Sequence, residues 1–303
     1  MVKISVVINT WNEEENLPRV LASVKGLADE LVVVDMESSD RTVEIARRAG
    51  AAVYTHKYTA YVEPARNFAI GKAIGDWILV LDADEELTGV LRKKLRELGE
   101  RGEADYYRLP RKNLIFHKWM RHSRWWPDYN IRFFKNGAVT WSEVIHSVPE
   151  TRGKGADLPE KEENAIWHYH YENVEQFVER MNRYTTIQAK LRIKKGERFL
   201  WQETVKRMMG EFFSRFFSGR GYKDGFHGLA LSFLQSMSEL VTGLKMWQIQ
   251  GHFHEYEVTG EALGGVAKAA GREFSYWEAD REVEEREFWR GLPGRLKRKW
   301  FSR

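Results

Sequence analysis

Over the first 110 positions the apolar residues follow two alternating periods. Ile4-Ser5-Val6-Val7-Ile8 and Leu31-Val32-Val33-Val34-Asp35 are short, nearly continuous apolar runs, the pattern of strands buried on both faces. Between them Leu17, Val20, Leu21 and Val24 recur at helical spacing, which predicts a helix over 13–27. Ser38-Ser39-Asp40 supplies capping chemistry ahead of a helix over 42–49 that Gly50 closes. Ala52-Val53-Tyr54 predicts a third strand, and Pro64 stands where a first helical position should be. Trp77-Ile78-Leu79-Val80-Leu81 predicts a fourth strand that runs straight into Asp82-Ala83-Asp84-Glu85. Such alternation implies an α/β fold with a mostly parallel, Rossmann-like sheet covered on both faces. Its ligands would sit outside the carboxyl ends of the strands.

From Asp105 to Pro149 the pattern changes to short strands and loops dense in Trp, Arg and His. Beyond Glu172 it turns helical. Val174, Phe177, Val178, Met181, Tyr184, Thr185, Gln188 and Leu191 form one stripe, and Phe226 to Ile249 another. The expected organisation is therefore an α/β domain over 1–170, a helical appendage over 171–250 and a charged tail of unassigned role over 251–303.

Composition sharpens this in three ways. Twelve Trp, twelve Tyr and sixteen Phe give ample apolar surface for a packed core and argue against disorder. Zero cysteines remove disulfides, thiolate metal sites and cysteine nucleophiles together. The net charge of +4 is too small to argue for nucleic acid, and no nucleic-acid partner is expected. The charge is uneven, however: six acids against two Arg lie between Trp277 and Glu287, whereas Gly291 to Arg303 holds five Lys/Arg and no acid. No signal peptide and no membrane span are visible, so the expected location is cytoplasmic, with peripheral attachment to the inner face of the membrane left open.

The candidate chemistry falls where strands end. Asp35 closes the second strand, and Asp82 and Asp84 close the fourth. In extended backbone residues i and i+2 share a side, so both carboxylates could meet Mn²⁺ or Mg²⁺ together with substrate phosphates. A solvated acidic loop explains the same string. Asn9-Thr10-Trp11-Asn12-Glu13 brings caps and a helix start to the same edge, and Arg66 could clamp a diphosphate oxygen. His168 and His170 flank Tyr169 and would share a face in a strand, while Trp119, Trp125, Trp126 and Trp141 could stack on sugars or fill a core.

Together these strings resemble the family 2 glycosyltransferases of the GT-A fold. Ile8-Asn9-Thr10-Trp11-Asn12-Glu13-Glu14 is similar to that family's Thr-x-Asn-Glu entry, and Val33 to Thr42 to its Val-Val-Asp-x-x-Ser-x-Asp-x-Thr turn. Ala65-Arg66-Asn67 and Leu81-Asp82-Ala83-Asp84-Glu85 follow in the same order. Further strings resemble lipopolysaccharide core glycosyltransferases: Phe116 to Trp119, Trp126 to Phe134, Trp141 to His146, Asn182 to Thr185, and Gly221 to Leu229. One departure is Ser147, where those relatives usually carry an acid after the histidine.

The resemblance implies an inverting transfer from a nucleotide-diphosphate sugar to a lipid-linked or glycan acceptor. It places Thr10, Asn12, Glu13 and Asp35 around the nucleotide, Arg66 at the diphosphate, and Asp82 at the ribose or metal. Asp84 becomes the metal ligand, with His146 a candidate third ligand. Asp128 becomes the base that takes the acceptor's proton, with Glu143 and Glu150 as alternatives. A nucleotidyltransferase would want a Gly-rich loop after the first strand, and Asn9 to Asn12 holds no Gly. A non-catalytic membrane-surface binding protein is the other alternative. The segment 202–217, with Val205, Met208, Met209, Phe212, Phe213, Phe216 and Phe217, is an amphipathic helix. It would pack against the donor domain or on a second subunit, or lie in an anionic membrane interface beside Arg220, Lys223 and the cations of 295–299.

Overall fold

A computed structural model of the chain describes residues 1–59, 62–141 and 149–285. They form two compact units, one of residues 1–115 and 126–170, the other of residues 116–125 and 171 onward. His146 and Glu143, and the cationic end over 291–303, lie outside the described residues.

In the first unit β1 (Ile4–Thr10), β2 (Glu30–Asp35), β3 (Ala52–Thr55) and β4 (Trp77–Asp82) pair in parallel in the order β3-β2-β1-β4. All seven positions of β1 are buried, as its unbroken apolar run requires. Ile4, Val6 and Ile8 pack on one face with Leu17, Val20 and Leu21 of α1 (Leu17–Ser23). Val7, Val32, Val34, Ile78 and Val80 pack on the other with Ala69 and Ile70 of α3 (Glu63–Ile70). The second helix, α2 (Thr42–Arg48), follows the Asp40 turn.

One predicted helix is shorter than its periodicity suggests. Residues 13–16 stay outside α1, because their backbone is engaged by the neighbouring loop. Asn12 is left-handed at φ 52°, Glu13 N donates to Thr42 Oγ1 at 2.8 Å, and Glu14 N donates to Asp40 Oδ2 at 3.1 Å. Long-range hydrogen bonds there outweigh local propensity.

The consecutive run of parallel strands expected from the sequence ends at β4. After β5 (Glu85–Glu86) comes α4 (Gly89–Arg101), capped by Thr88 Oγ1 accepting from Leu91 N and ended by Gly102 at φ 61°. The chain then runs out along β6 (Tyr106–Ile115), passes through β7 (Lys118–Trp119) in the second unit, and returns as β8 (Tyr129–Lys135). No crossover helix intervenes, so β8 lies antiparallel to both β4 and β6. Trp77 stacks on Phe133 across that join at 4.6 Å. β9 (Val139–Thr140) pairs with β10 (Glu150–Thr151), β11 (Gly155–Asp157) joins β6, and β12 (Ile166–Tyr171) pairs with β5.

The second unit is helical: α5 (Val174–Lys194), α6 (Trp201–Phe213), α7 (Phe226–Gly251) and α8 (Gly260–Glu285). The aromatic face of α6 is packed internally. Phe212 meets Phe233 of α7 at 4.5 Å, and Phe213 and Phe217 meet Phe274 of α8 at 6.3 and 5.7 Å. A Cβ on Gly243 would come within 2.3 Å of Thr204, so only glycine lets α7 approach α6 this closely. Residues 116–125 are clipped into this unit, with Ser123 N donating to Gly219 O at 2.6 Å and His122 N donating to Asp224 Oδ2 at 2.9 Å. Arg121 covers the Trp119 ring and Arg215 faces that of Trp125. Among the described residues no helix is long and apolar enough to cross a membrane.

Candidate active site at the carboxyl edge of the sheet

Parallel register sets the first half of the site, because Thr10 lies opposite Asp35 at the ends of β1 and β2. Both are buried, and Thr10 Oγ1 donates to Asp35 Oδ1 at 3.3 Å. Asp35 Oδ2 accepts Ser38 N at 3.0 Å, and Asn12 Oδ1 accepts Ser39 N at 2.8 Å. Glu13 Oε2 accepts Asn16 Nδ2 at 2.9 Å. Thr10, Asn12, Glu13 and Asp35 thus belong to two interlocked loops. Asp40 ties them further: burial pushes its carboxyl up, but hydrogen bonds from Thr42 and Glu14 hold it below the usual carboxylate range. At the rim Trp11 and Tyr58 pair at 4.6 Å, each more than a third exposed, an aromatic surface the motif reading passed over.

The second half is an ionic network. Asp82 takes Arg66 Nη2 on Oδ1 at 2.9 Å and Arg132 Nη2 on Oδ2 at 2.5 Å. Arg132 Nη2 also reaches Glu85 Oε1 at 2.6 Å, while Glu85 Oε2 accepts the Asp82 amide at 3.0 Å. Arg111 approaches Glu85 Oε1 at 3.3 Å and grips Asp128 Oδ2 through Nε and Nη2 at 2.9 and 2.7 Å. Three guanidinium groups therefore face three carboxylates in one half-buried cluster, with Glu85 and Arg132 its most enclosed members. Burial would raise the Asp82 carboxyl, but Arg132 and Arg66 hold it far below its ordinary value. Asp128 follows the same logic with Arg111 and Asn113, ending lower than usual. Burial works against the Arg132 charge too, yet Asp82 and Glu85 leave its pKa raised.

From Asp128 the contacts continue through Asn113 to His168. Asn113 Nδ2 donates to Asp128 Oδ2 at 3.0 Å, and Asn113 Oδ1 lies 2.6 Å from His168 Nδ1. His168 Nε2 stands 3.5 Å from Asp84 Oδ2. Antiparallel pairing of β12 with β5 sets this meeting, since His168 is registered opposite Glu85.

Asp82 and Asp84 have different partners rather than facing one site from the end of a strand. The strand ends at Asp82 and residues 83–84 form a turn, so Asp82 meets arginines and Asp84 meets His168. Among the described residues no three His, Asp or Glu side chains gather at ligand spacing. The donor set that suits a hard divalent cation is Asp84 with His168, an oxygen and an imidazole nitrogen, leaving the remaining positions to phosphate and water. Glu150 lies exposed on β10, and Trp141 is buried against Phe134 at 5.6 Å.

Arg111, Asn113, Arg132 and Glu85 were not singled out in advance. A signal existed: Arg132 interrupts Ile131-Arg132-Phe133-Phe134, and Arg111 and Asn113 stand at i, i+2 in a run that otherwise reads as strand. A charge inside a buried strand needs a counter-charge.

Residues 5–151 match the family model described as Glycosyl transferase family 2. An uncharacterized glycosyltransferase of Rickettsia typhi is 31% identical over 258 residues, 82% of this chain and 88% of the relative. One from Rickettsia bellii is 32% identical over 256 residues, 82% and 87% of the two chains. Among solved structures, residues 1–349 of S. aureus TarS in complex with UDP are similar at 15% identity and a TM-score of 0.45, covering 85% of this chain and 94% of that one.

Proposed function

The chain belongs to glycosyltransferase family 2, and on that premise we propose a metal-assisted, inverting transfer of a sugar from a nucleoside-diphosphate donor to a hydroxyl of a lipid-linked or glycan acceptor. Family membership leaves the nucleotidyltransferase and the non-catalytic surface-binding readings without support. The observation that carries the proposal is the carboxylate–guanidinium network beside the junction of β1 and β4, where the order of an open α/β sheet reverses.

In this reading Thr10, Asn12, Glu13 and Asp35 line the nucleoside side and Trp11 with Tyr58 offers a stacking surface. Arg66 turns part of its fork to the diphosphate, and Asp82 keeps that arginine in place. Asp84 and His168 would hold Mn²⁺ or Mg²⁺, with His146 a further candidate from outside the described residues. When bound, the cation neutralises charge on the departing nucleoside diphosphate. Asp128 is the base. Its Oδ2 is committed to Arg111 and Asn113, while Oδ1 takes Asn130 Nδ2 at a looser 3.3 Å, so Oδ1 is the oxygen for the acceptor's proton. The acceptor oxygen attacks the anomeric carbon, the bond to the diphosphate breaks, and the proton passes to Asp128. Because Arg111 keeps this carboxylate ionised, it is ready at neutral pH but weak, which suits a late proton transfer.

A hydrophobic acceptor has support in the second unit. Phe226, Phe233, Met237 and Leu244 of α7 are exposed at 80%, 53%, 42% and 42% and fall on one stripe at helical spacing. Deleting residues 291–303 should weaken binding to anionic vesicles at low salt; unchanged binding removes the tail from that role.

The direct test is a panel of nucleotide sugars with Mn²⁺, read by hydrolysis and by thermal shift. A donor at 100 times its Kd should stabilise the fold by about 2.7 kcal/mol. No response to any nucleoside diphosphate, with or without Mn²⁺, would overturn the donor assignment.

A further inference from the structure

Asn113 is fully buried in β6, and its side-chain amide is the only group among the described contacts that touches both the Asp128 carboxylate and the His168 ring. The chemistry of its neighbours dictates which way it points. Asp128 is an ionised acceptor, so the amide must present Nδ2–H₂ to it. The carbonyl Oδ1 is then committed to the other side, 2.6 Å from His168 Nδ1. A carbonyl cannot donate, so Nδ1 must carry the hydrogen. His170 Nδ1, 3.3 Å from the same nitrogen, can only be a second acceptor there. With the Nδ1 hydrogen held by Asn113, Nε2 is the nitrogen left to face Asp84 Oδ2 at 3.5 Å, and in the neutral ring it carries the lone pair. At that separation the two atoms attract only through a shared proton or a shared cation.

We infer that Asn113 is a positioning residue: one amide holds Asp128 in place and fixes His168 as the Nδ1–H tautomer, turning the Nε2 lone pair toward the cation position beside Asp84. The inference rests on the proposed transfer reaction, but it concerns the ring itself and can be read without turnover. It also explains why a neutral residue sits inside a strand otherwise supplying charge to this network. A leucine there would fill the space and orient nothing.

Long-range ¹H–¹⁵N spectra of the histidine-labelled chain report which ring nitrogen carries hydrogen. Without metal, at a pH where the ring is neutral, wild type should show the Nδ1–H pattern for His168, assigned by its loss in His168→Gln. Asn113→Leu should shift that pattern toward Nε2–H and weaken Mn²⁺ binding, followed by the paramagnetic signal of free Mn²⁺, by roughly 10–100-fold. Asn113→Asp keeps an acceptor for Nδ1–H but loses the donor to Asp128. It should therefore retain Mn²⁺ affinity within about 3-fold of wild type while kcat falls. An Nε2–H ring in wild type overturns the inference whatever the enzyme does. So does an Asn113→Leu chain that folds, keeps the Nδ1–H pattern and binds Mn²⁺ as wild type does. If His168→Gln also leaves Mn²⁺ binding intact, the metal assignment in the proposed reaction fails instead, and the ring spectrum alone decides the role of Asn113.

Discussion

At the carboxyl edge of the sheet, Asp82, Glu85 and Asp128 pair with Arg66, Arg111 and Arg132 in one shared network, in which Glu85, Arg66 and Arg132 are buried and Asp82, Asp128 and Arg111 half-buried. The helical unit packs rings instead, the buried Phe213 and half-buried Phe212 against Phe233 and Phe274, which are themselves about half exposed. The two kinds of interior differ in what a deletion does. A buried ion pair returns little net stability, since desolvation offsets attraction, yet removing one partner strands the other charge. Packed rings contribute through area, and truncating one leaves a cavity. The first arrangement holds charges in a fixed geometry at a cost that folding alone would not require. The second is what a scaffold needs.

Substitutions can separate these roles. The largest effect on turnover should come from Asp84→Ala, which removes the carboxylate beside His168 and should lower transfer by at least 10²-fold, on the scale of about 3 kcal/mol of lost transition-state stabilisation. Initial rates with Mn²⁺ check it, and a variant keeping a tenth of wild-type rate would break the assignment. Asp128→Asn should keep donor binding while losing transfer; near-full turnover would return the base to other candidates. Arg132→Met leaves Asp82 and Glu85 facing each other without their shared guanidinium and should cost about 3–5 kcal/mol by urea unfolding at pH 8. The penalty should shrink toward pH 4, where the stranded carboxylates can take protons.

On the helical side Phe213→Ala should cost about 3 kcal/mol of stability with kcat unchanged per folded molecule. A kcat change there would show that the two interiors are not independent. The exposed pair Arg108–Asp157 sets the floor: Arg108→Gln should shift stability by under about 1 kcal/mol.

The pH dependence follows from the same network. Asp82 and Asp128 have folded pKa values below their unfolded ones, so their contribution is present above the unfolded value of about 3.9. It is lost as pH falls through the folded values. Denaturation midpoints should therefore stay flat from pH 8 to about 5 and drop in acid, a drop that Asp128→Asn should reduce.

Much of the first unit was legible before any coordinates. The apolar runs of β1, β2 and β4 need burial on both faces, and the Asp40 and Pro64 positions start helices by local chemistry alone. That Thr10, Asp35 and Asp82 end neighbouring strands follows from the strand–helix alternation, and register put them together. The stripes of α5 and α7 were equally plain, since a 3.6-residue period is local information, whereas α8 lies in what read only as a charged tail.

What the sequence could not supply was pairing at a distance. It placed Asp82 and Asp84 side by side by strand alternation, but the turn at 83–84 sent one to arginines and the other to a histidine 84 positions away. Arg111, Asn113 and Arg132 acquire meaning only when β6 and β8 are laid against β4, and His168 only when β12 meets β5. Periodicity and capping are properties of a few consecutive residues, so the sequence by itself determined the elements and the edge at which chemistry would gather. Which carboxylate is held by which guanidinium depends on strand order and register, and those are decided by burying the whole sheet at once.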